Sequence, residues 1–402
     1  MSRLCSEKGH HVTWWTSTFD HIRKKQRYST DTFINLNDHL RLICLHSVSY
    51  SNNVSLERII NHYGVARKFT KLVQNEQKPD IILCSLPSLE LCQAATVYGK
   101  EQKVPVILDV RDLWPDLFLE LAPARLQWLA RLILTPMFKT VKTACAGATA
   151  IFGLTPAFVD WGLKYAGRER GEWDRDFPMG YSKKAVDEDA MAAAESYWRT
   201  LGICKERQEF IISFFGTIGR QFELETVIMA ARELEKQKLP FRFVLCGDGD
   251  RLADYRNLAK DCNNVVFPGW IDVPKIQSLM RLSTVGLAPY VDTPNFRMNI
   301  PNKPIEYLSG GLPVISSLGV GVLKDLLVTN QCGLIYQADD PHSLTNILLE
   351  LYNHPEQLKM LSGNALKLYQ EKFTAENVYN RMLDSLESIA ANYMEQGSVN
   401  VW

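Results

Sequence analysis

Short apolar runs alternate along this chain with longer segments whose apolar residues recur at helical spacing. The runs predict a first set of strands at His11–Thr16, Leu42–Val48, Ile81–Leu86, Val106–Val110 and Ala150–Leu154. A second set is predicted at Phe210–Phe215, Phe241–Cys246, Val265–Phe267, Val285–Ala288, Val314–Ser316 and Gly333–Tyr336. Intervening segments such as Leu56–Gln74 and Leu126–Lys142 predict helices. Because this alternation is typical of parallel sheets covered on both faces, we predict an α/β fold with two doubly wound domains.

The alternation stops between Gly167 and Arg207, a charged segment that also contains Gly171, Pro178 and Gly180. We interpret it as the connection between the domains plus a surface helix. The predicted boundaries are therefore 1–170 for the N-terminal domain, 171–207 for the connection, 208–375 for the C-terminal domain and 376–402 for a last helix. A chain of 402 residues is long enough for two ordinary domains.

Composition narrows the class of protein. The 45 basic and 45 acidic residues cancel, so charge gives no argument for a nucleic-acid partner. No apolar run is long enough to span a bilayer, and the first residues lack a signal-peptide pattern. The nine cysteines are scattered, which favours reduced core residues of a cytoplasmic protein over disulfides or a zinc site.

Glycines follow two strands of the second set. The turn after Phe210–Phe215 contains Gly216 and Gly219, with Arg220 beside the next helix. The turn after Phe241–Cys246 contains Gly247 and Asp248. Glycine lets the backbone approach a ligand, and ligands of such sheets bind outside the carboxyl ends of the strands. The set of turns predicts a phosphate-containing ligand, most simply a nucleotide.

A third feature is the segment Pro301–Ile315. It predicts a helix that begins at Asn302 as N-cap, carries Glu306 in its first turn and ends at a glycine pair. Lys303 and Glu306 at such a helix start suit a phosphate and a sugar hydroxyl, respectively. An ordinary capped helix is the alternative interpretation.

In this order, the Gly216–Gly219 turn, Gly247-Asp248-Gly249, Phe267-Pro268-Gly269 and Glu306 through Val314 resemble the GT-B glycosyltransferases of family 4. The resemblance implies two Rossmann-like domains facing a cleft, a last helix that crosses back to the N-terminal domain, and transfer with retention. It implies that Glu306 holds the donor ribose and that Lys303, Arg220 and the Gly219 backbone face the diphosphate. The donor-binding residues that we predict are Gly216, Thr217, Gly219, Arg220, Gly247, Asp248, Met298, Asn299, Lys303 and Glu306.

Three departures from the family pattern change the picture. Met298 stands where many members have a first glutamate, and Thr217 stands where many have an arginine. The form Pro301-Asn302-Lys303-x-x-Glu306-Tyr307 resembles a branch that builds surface polysaccharides. The family also begins with a strand and a Gly-Gly loop, whereas this chain starts near the end of the following helix. We therefore expect the N-terminal domain to lack its first strand, either through a truncated start or in the protein itself.

The N-terminal domain is expected to bind the acceptor. Asp109 to Pro115 reads Asp-x-Arg-Asp-x-Trp-Pro at the end of a buried strand, a pattern that recurs in the same branch. We predict Asp112 and Arg111 as catalytic residues, the first toward an acceptor hydroxyl and the second toward a phosphate, with Asp109 and Trp114 as acceptor-binding residues. A capped turn with an Arg–Asp ion pair is the alternative. No histidine lies on this loop, which argues against a catalytic histidine there.

Two segments suggest a membrane-borne acceptor. Residues 21–27 form a basic cluster, and Leu126–Lys142 is apolar with cations at intervals. A solvated loop and a core helix kinked at Pro136 are their respective alternatives. We predict a peripheral contact with the inner face of the plasma membrane. Asp248-Gly249-Asp250 spells a metal-binding pattern, but its position in a GT-B turn favours no metal and no cofactor.

The predicted function is that of a retaining glycosyltransferase that moves a hexosyl or N-acetylhexosaminyl group. Its partners are a nucleotide sugar and a saccharide or polyprenyl-diphosphate-linked acceptor in surface polysaccharide biosynthesis. Two alternatives share the fold, namely a non-catalytic GT-B subunit and a nucleotide-sugar 2-epimerase. A nicotinamide-dependent Rossmann enzyme ranks last, because no Gly-x-Gly-x-x-Gly opens a helix with an acid about twenty residues on.

Overall fold

The longest apolar runs of the sequence become strands at the centre of parallel sheets. The computed structural model describes residues 1–52, 55–120 and 122–399, with side chains to residue 395. The chain divides into an N-terminal unit, Met1–Pro178 together with the segment from Tyr379 onward, and a C-terminal unit, Met179–Val378. Of the predicted last helix 376–402, residues 400–402 lie outside the described residues.

The described residues of the N-terminal unit form nine strands: β1 Val12–Ser17, β2 Phe19–Asp20, β3 Lys25–Gln26, β4 Thr32–Asn37, β5 Leu40–Leu45, β6 Ile82–Ser85, β7 Val106–Val110, β8 Ala150–Gly153 and β9 Arg175–Asp176. Its first helices are α1 Ser2–Glu7, α2 Leu56–Leu72, α3 Leu89–Gln102, α4 Asp116–Glu120, α5 Gln127–Ile133, α6 Thr135–Gly147 and α7 Pro156–Ala166. Helices α2, α3, α6 and α7 pack in succession along the unit.

Two main sheets form in this unit, with strand orders β1-β5-β4 and β6-β7-β8-β9, beside the small β2–β3 hairpin. All ladders of the second sheet are parallel. In the described part of the chain, β1 and β6 are each paired on one side only. Strand β4, which the sequence did not predict, runs antiparallel to β5.

The C-terminal unit has one six-stranded parallel sheet in the order β12-β11-β10-β13-β14-β15. Its strands are β10 Phe210–Phe215, β11 Phe241–Cys246, β12 Val265–Gly269, β13 Val285–Ala288, β14 Val314–Ser316 and β15 Gly333–Ile335. Its helices are α8 Glu188–Thr200, α9 Glu225–Lys236, α10 Leu252–Leu258, α11 Val273–Leu282, α12 Pro294–Met298, α13 Asn302–Ser309, α14 Val322–Thr329, α15 Pro341–Asn353 and α16 Pro355–Leu368. The last helix, α17, spans Ala375–Val399.

Side chains of β10, β11 and β13 are almost wholly buried, because helices cover the sheet on both faces. The strand order reverses between β10 and β13, which are direct neighbours. In open parallel sheets of this kind, a ligand crevice forms at the carboxyl ends of the strands where the order reverses. The turns after β10 and β13 are therefore where a ligand of this unit is expected.

Candidate functional site

The glycine turns predicted at the strand ends of the C-terminal unit lie against one another. Gly216 donates its backbone N–H to the carbonyl of Cys246 at 3.0 Å, and Gly247 donates to the carbonyl of Gly269 at 2.7 Å. The carboxyl ends of β10, β11 and β12 are thus joined by backbone hydrogen bonds. These strand ends lie beside β13, the neighbour of β10 at which the strand order reverses.

Only glycine fits where the turn after β10 and the turn after β11 come closest to each other. Gly247 has a φ of +140°, and a Cβ added there would lie 1.7 Å from the carbonyl oxygen of Gly216. A Cβ added to Gly249 would lie 2.2 Å from the carbonyl oxygen of Ile218. The glycines predicted to let backbone approach a ligand therefore also let two turns approach each other. Both roles require a residue that has no side chain.

Helix α13 places Lys303 over the first of these turns. A Cβ on Gly216 would lie 1.9 Å from Lys303 Cε, and the Lys303 ammonium lies 5.2 Å from the ring centroid of Phe222. Burial lowers the pKa of Lys303, and the negative charge of Glu306 partly offsets this. A cation held with little water over a glycine turn is well suited to a diphosphate.

Helix α13 begins one residue earlier than predicted, which places Glu306 in its second turn. Pro301 is the N-cap, Asn302 is already helical, and no side chain caps the helix. Glu306 therefore lies in the second turn, and the first turn carries no acid. The proline N-cap has an extended φ and ψ that needs no side-chain hydrogen bond to begin a helix.

Glu306 has a partner that sequence reasoning missed. The Tyr181 hydroxyl donates to Glu306 Oε1 at 3.0 Å, and the Tyr369 hydroxyl donates to the Tyr181 carbonyl at 2.9 Å. Burial raises the pKa of Glu306, while the Tyr181 hydrogen bond and Lys303 act in the opposite direction. Tyr181 lies in the segment that we interpreted as a connection, and nothing near it in the sequence points to Glu306.

A cavity of about 190 Å³ opens beside this carboxylate. Its walls are Tyr181, Ser182, Lys184, Val273, Ile276, Gln277 and Glu306. The lining combines apolar side chains with a few hydroxyl, amide, ammonium and carboxylate groups, the mixture that small-molecule sites commonly have. The Tyr181 hydroxyl binds Oε1 of Glu306, so Oε2 is the oxygen that we consider for a ligand.

Arg220, Thr217 and Asp248 lie at the solvent-exposed end of the turns. The Arg220 side chain is 87% exposed and its Nε is 3.6 Å from Asp250 Oδ2. Asp248 accepts a hydrogen bond from the Gly249 N–H at 2.8 Å and so stabilises its own turn. The structure does not hold Arg220 in a fixed pocket, and its contact with a diphosphate stays a prediction.

Met298 and Asn299 follow one another at the end of α12. Among the residues that the structure describes, Asn299 Oδ1 is buried without a hydrogen-bond partner. The neighbouring Arg297 is held in a two-pronged ion pair with Asp292, at 2.6 and 2.9 Å. Their predicted contact with the donor sugar stays a prediction.

In the N-terminal unit, hydrogen bonds to Asp109 fix the start of the predicted acceptor loop. The Asp109 side chain is 2% exposed and accepts hydrogen bonds from Arg111 Nε and from Ser85. This is the Arg–Asp ion pair of the alternative interpretation. Trp114 is buried as well. The roles of Asp109, Arg111 and Trp114 toward an acceptor stay predictions, and for Asp109 burial leaves an indirect, positioning role.

Asp112 follows this ion pair in the loop and lies within the electrostatic influence of Arg58. Its Oδ1 accepts a hydrogen bond from the Leu113 N–H at 2.9 Å. Burial raises the pKa of Asp112, against opposing effects of that hydrogen bond and of Arg58. A raised carboxyl pKa brings the group closer to the range in which it can exchange a proton with a hydroxyl.

No histidine lies on this loop in the sequence, but one reaches it in the folded chain. Helix α2 brings His62 to the loop, where its ring stacks on Trp114 with centroids 5.8 Å apart. Burial, Arg58 and His21 lower the pKa of His62 to about 4. His62 Nδ1 is 3.9 Å from Glu90 Oε2, too far for a hydrogen bond, and the imidazole is neutral near pH 7. The α2–loop contact is invisible to motif analysis.

The segment predicted as one helix over 126–142 is two helices, α5 and α6. Thr135 begins α6, with Pro136 in its first turn, where the missing N–H of proline does no harm. Helix α6 buries one face, but α5 does not: Trp128, Leu132 and Ile133 are 69%, 65% and 68% exposed. The core-helix interpretation is therefore wrong for α5. No helix of the described residues is long and apolar enough to cross a membrane.

Among residues 1–52, 55–120 and 122–395, no three His, Cys, Asp or Glu side chains form a group suited to a metal ion. The prediction of catalysis without metal or cofactor stays a prediction. All nine cysteines are free thiols, and all but Cys204 are buried. This agrees with their interpretation as core residues.

Comparison with known families begins with the C-terminal unit. The profile of the family Glycosyl transferases group 1 matches residues 209–354. That range contains all six strands of the C-terminal sheet and each donor-binding residue predicted above. The match supports glycosyltransferase activity. No curated protein matches the chain in sequence.

Solved structures extend the comparison to nearly the whole chain. Sucrose-phosphate synthase from Thermosynechococcus elongatus is 18% identical over 97% of this chain and 92% of its own, with a TM-score of 0.68. The fold is GT-B. HepE from Anabaena, solved with UDP-glucose, is 13% identical over 86% of each chain, with a TM-score of 0.59. WaaG, a glycosyltransferase involved in lipopolysaccharide biosynthesis, is 15% identical over 92% of this chain and 89% of its own, with a TM-score of 0.54.

These findings confirm the predicted α/β fold of the GT-B type. At identities below one fifth, the solved structures define the fold and not the substrate of this GT-B protein. Family 4, the surface-polysaccharide branch and the choice between hexosyl and N-acetylhexosaminyl transfer are therefore proposals.

Proposed function

We propose that the protein is a family 4 glycosyltransferase whose C-terminal unit binds a nucleotide sugar. The observation that carries the proposal is the pairing of Lys303 and Glu306 on α13, beside the point where strand order reverses. Lys303 covers the glycine turn, as a diphosphate site requires, and Glu306 borders a cavity suited to a small polar ring. The group 1 family match over the same residues supports this assignment.

In the proposed reaction, Glu306 Oε2 accepts a hydrogen bond from a ribose hydroxyl, while Tyr181 holds Oε1. The Lys303 ammonium stabilises the negative charge that develops on the leaving diphosphate. Asn299 Oδ1 accepts a hydrogen bond from a hydroxyl of the donor sugar. The resemblance to family 4 supports retention of anomeric configuration, and HepE, solved with UDP-glucose, supports a uridine nucleotide.

The acceptor hydroxyl is assigned to the loop of the N-terminal unit, where Asp112 is the candidate base. WaaG, which acts in lipopolysaccharide biosynthesis, supports a saccharide acceptor of the cell surface, built on the cytoplasmic side. A non-catalytic GT-B subunit is a second candidate. It is favoured by Met298 in place of a glutamate and by the ion pair that occupies Arg111.

A donor screen tests the proposal. The full chain is heated with UDP, GDP, dTDP and their sugars, and the midpoint of unfolding is followed. We expect one nucleotide series to raise it, and Lys303→Met to weaken that nucleotide by about tenfold to a hundredfold, the usual effect of losing a charge-assisted phosphate contact. The exposed Lys260→Met is the matched control. If no nucleotide stabilises the chain, the donor site is wrong.

Turnover separates the two candidates. Release of the nucleoside diphosphate in the presence of a saccharide acceptor supports the transferase. Nucleotide binding without release, over a panel of soluble and lipid-linked acceptors, supports the non-catalytic subunit.

We also propose that α5 is a membrane contact. Its exposed residues Trp128, Leu132 and Ile133 form an apolar surface on the N-terminal unit. Residues 125–142 contain four cations and no acid; the cations are Arg125, Arg131, Lys139 and Lys142. An apolar helix flanked by cations fits the interface of an anionic bilayer, where a lipid-linked acceptor would be held.

Vesicle sedimentation tests this contact. The wild-type chain is expected to sediment with vesicles that contain anionic lipid, and less with neutral vesicles. Replacing Trp128 and Leu132 together by alanine removes roughly 3–6 kcal/mol of apolar burial, so the bound fraction is expected to fall at least tenfold. Trp270→Ala is the control, since Trp270 is 76% exposed in the other unit. If the double variant and the control sediment equally, α5 is not the membrane contact.

A further inference from the structure

A tyrosine of the C-terminal unit holds the carboxylate that borders the cavity. Tyr181 lies on the segment before α8, and Glu306 lies on α13, 125 residues later in the chain. The Tyr181 hydroxyl donates to Glu306 Oε1 at 3.0 Å, and both residues line the cavity. The hydrogen bond therefore joins two side chains that a ligand of this cavity would meet.

The backbone of Tyr181 is fixed on both of its polar groups. Its N–H donates to the Phe373 carbonyl at 2.8 Å, and its carbonyl accepts from the Ala375 N–H at 3.1 Å and from the Tyr369 hydroxyl at 2.9 Å. Residues Tyr369–Phe373 form a π-helical turn after α16, a rare element that is frequent at functional sites. The hydroxyl that meets Glu306 is thus carried by a backbone with little freedom to move.

Tyr181 is the donor in this pair. Burial raises the pKa of Tyr181, and the charge of Glu306 and the hydrogen bond to it raise that pKa further. The phenol is therefore protonated at neutral pH. For Glu306, burial raises the pKa, whereas the Tyr181 hydrogen bond and then Lys303 lower it. The tyrosine thus favours the ionised carboxylate and limits its rotation.

A carboxylate with one oxygen bound to a tyrosine presents a defined acceptor to a ligand. A carboxylate oxygen has two lone pairs, and the two neighbouring hydroxyls of a ribose supply two O–H donors for Oε2. A 2′-deoxyribose supplies one donor fewer. Glu306 is half-buried, so an acceptor left short of a donor there costs free energy. A site built to bind a hydroxyl rejects a ligand that lacks it.

We propose that Tyr181 is a positioning residue that holds Glu306 for a ribose and makes the donor site selective for ribonucleotides over 2′-deoxyribonucleotides. The inference rests on the proposed function, which supplies the nucleotide. Tyr181 acts through Glu306 and not on the reacting atoms. Without the tyrosine hydroxyl, the carboxylate is free to turn, must be ordered by each ligand, and distinguishes the two sugars less.

Paired nucleotides measure this selectivity. The full chain is titrated by calorimetry with UDP and 2′-deoxy-UDP, and with GDP and 2′-deoxy-GDP. In the series that binds, the wild type is expected to prefer the ribonucleotide by about tenfold or more, the usual effect of a hydrogen bond to a charged group. Tyr181→Phe is expected to reduce this preference by about threefold or more, because the orienting hydrogen bond is lost.

The test variant keeps the shape of the cavity wall. Phenylalanine retains the ring of Tyr181, whose centroid lies 6.3 Å from that of Tyr369. Tyr165→Phe is the matched control, since the Tyr165 hydroxyl likewise donates to a carboxylate, Asp116 Oδ2 at 2.6 Å, but in the N-terminal unit. This control is expected to keep the wild-type preference for the ribonucleotide.

A double variant separates positioning from a merely structural role. Glu306→Gln alone is expected to lose most of the ribonucleotide preference, so that adding Tyr181→Phe reduces it no further. A structural role would instead weaken the ribonucleotide and the 2′-deoxyribonucleotide by the same factor. If Tyr181→Phe does this, or keeps the full preference of the Tyr165→Phe control, the proposal is overturned.

The outcome is distinguishable from that of the donor screen. A wild-type chain that binds UDP or GDP, with a preference that Tyr181→Phe leaves unchanged, removes this inference and leaves the proposed function. Equal binding of a ribonucleotide and its 2′-deoxy analogue by the wild type does the same. A chain that no nucleotide stabilises removes the proposed function and this role together.

Discussion

Glu306→Gln is expected to abolish nucleotide stabilisation while leaving the unliganded protein at least as stable as the wild type. The loss of binding follows from the removal of a charged acceptor, which corresponds to about 1.5–3 kcal/mol or a tenfold to hundredfold loss of affinity. Transfer is expected to fall by at least the same factor. The shape of the side chain is kept, so the Tyr181 contact at 3.0 Å has an oxygen to accept it.

Although Glu306→Gln is expected to weaken nucleotide binding, the unliganded variant is expected to be more stable than the wild type, because burial raises the pKa of Glu306. A raised pKa means that the folded chain holds this proton more tightly than the unfolded chain does. The corresponding stability is full below the unfolded pKa and is lost as pH rises through the folded pKa. Glutamine has no proton to lose, so the difference between variant and wild type is expected to grow from acidic to neutral pH.

Thermal unfolding of both chains, with and without the nucleotide found in the donor screen, measures the two effects together. Glu195→Gln, an exposed position of α8, is the control and is expected to keep the nucleotide shift. A Glu306→Gln chain that binds the nucleotide as the wild type does would exclude the ribose assignment. A variant that simply unfolds would contradict the expected pH dependence.

Gly247→Ala is expected to cause the largest loss of stability of any single methyl group added to the turns. Its Cβ would lie 1.7 Å from the carbonyl oxygen of Gly216, and its φ of +140° is strained for any L side chain. Neither atom is the end of a flexible side chain, so the turn must move. Overpacking and backbone strain together amount to roughly 2–6 kcal/mol in the free energy of unfolding.

For a unit of this size, a loss of that order lowers the midpoint of thermal unfolding by roughly 5–20 °C. Gly363→Ala is the matched control, because its Cβ meets nothing within 4 Å and it lies inside α16. That variant is expected to gain up to about 1 kcal/mol from helix propensity. Calorimetry of the two variants would therefore show shifts of opposite sign. If Gly247→Ala unfolded within a degree of the wild type, the close approach of the two turns would be refuted.

Sequence patterns predicted the buried parallel strands well and the surface elements poorly. The bounds of Val106–Val110, Phe210–Phe215 and Phe241–Cys246 are confirmed at both ends. Strands covered on both faces are continuous apolar runs in the sequence, so their two ends are easy to recognise. Strand β4, Thr32–Asn37, was missed because four of its six residues are exposed and it pairs antiparallel at a sheet edge.

The candidate site divides in a similar way. Lys303 and Gly216 follow from local motifs, because a helix start and a strand end are each encoded within a few residues. Tyr181 and His62 do not, because each meets its partner through the packing of segments that are far apart in sequence. A motif carries no information on such a contact. The N-cap of α13 was misassigned by one residue for a simpler reason: asparagine is the commoner cap, and here an extended proline takes its place.

The division of the chain also bears on how the protein is made. The N-terminal unit includes the segment from Tyr379 onward, where Met382, Leu383 and Ile389 are buried and Glu387 accepts a hydrogen bond from His10 at 2.7 Å. Ribosomes deliver a chain from its first residue to its last. The half of this protein that is translated first must therefore wait for the last helix, while the C-terminal unit can complete its core before it. During synthesis, the C-terminal unit is therefore expected to fold early, and the N-terminal unit is expected to depend on chaperones for longer.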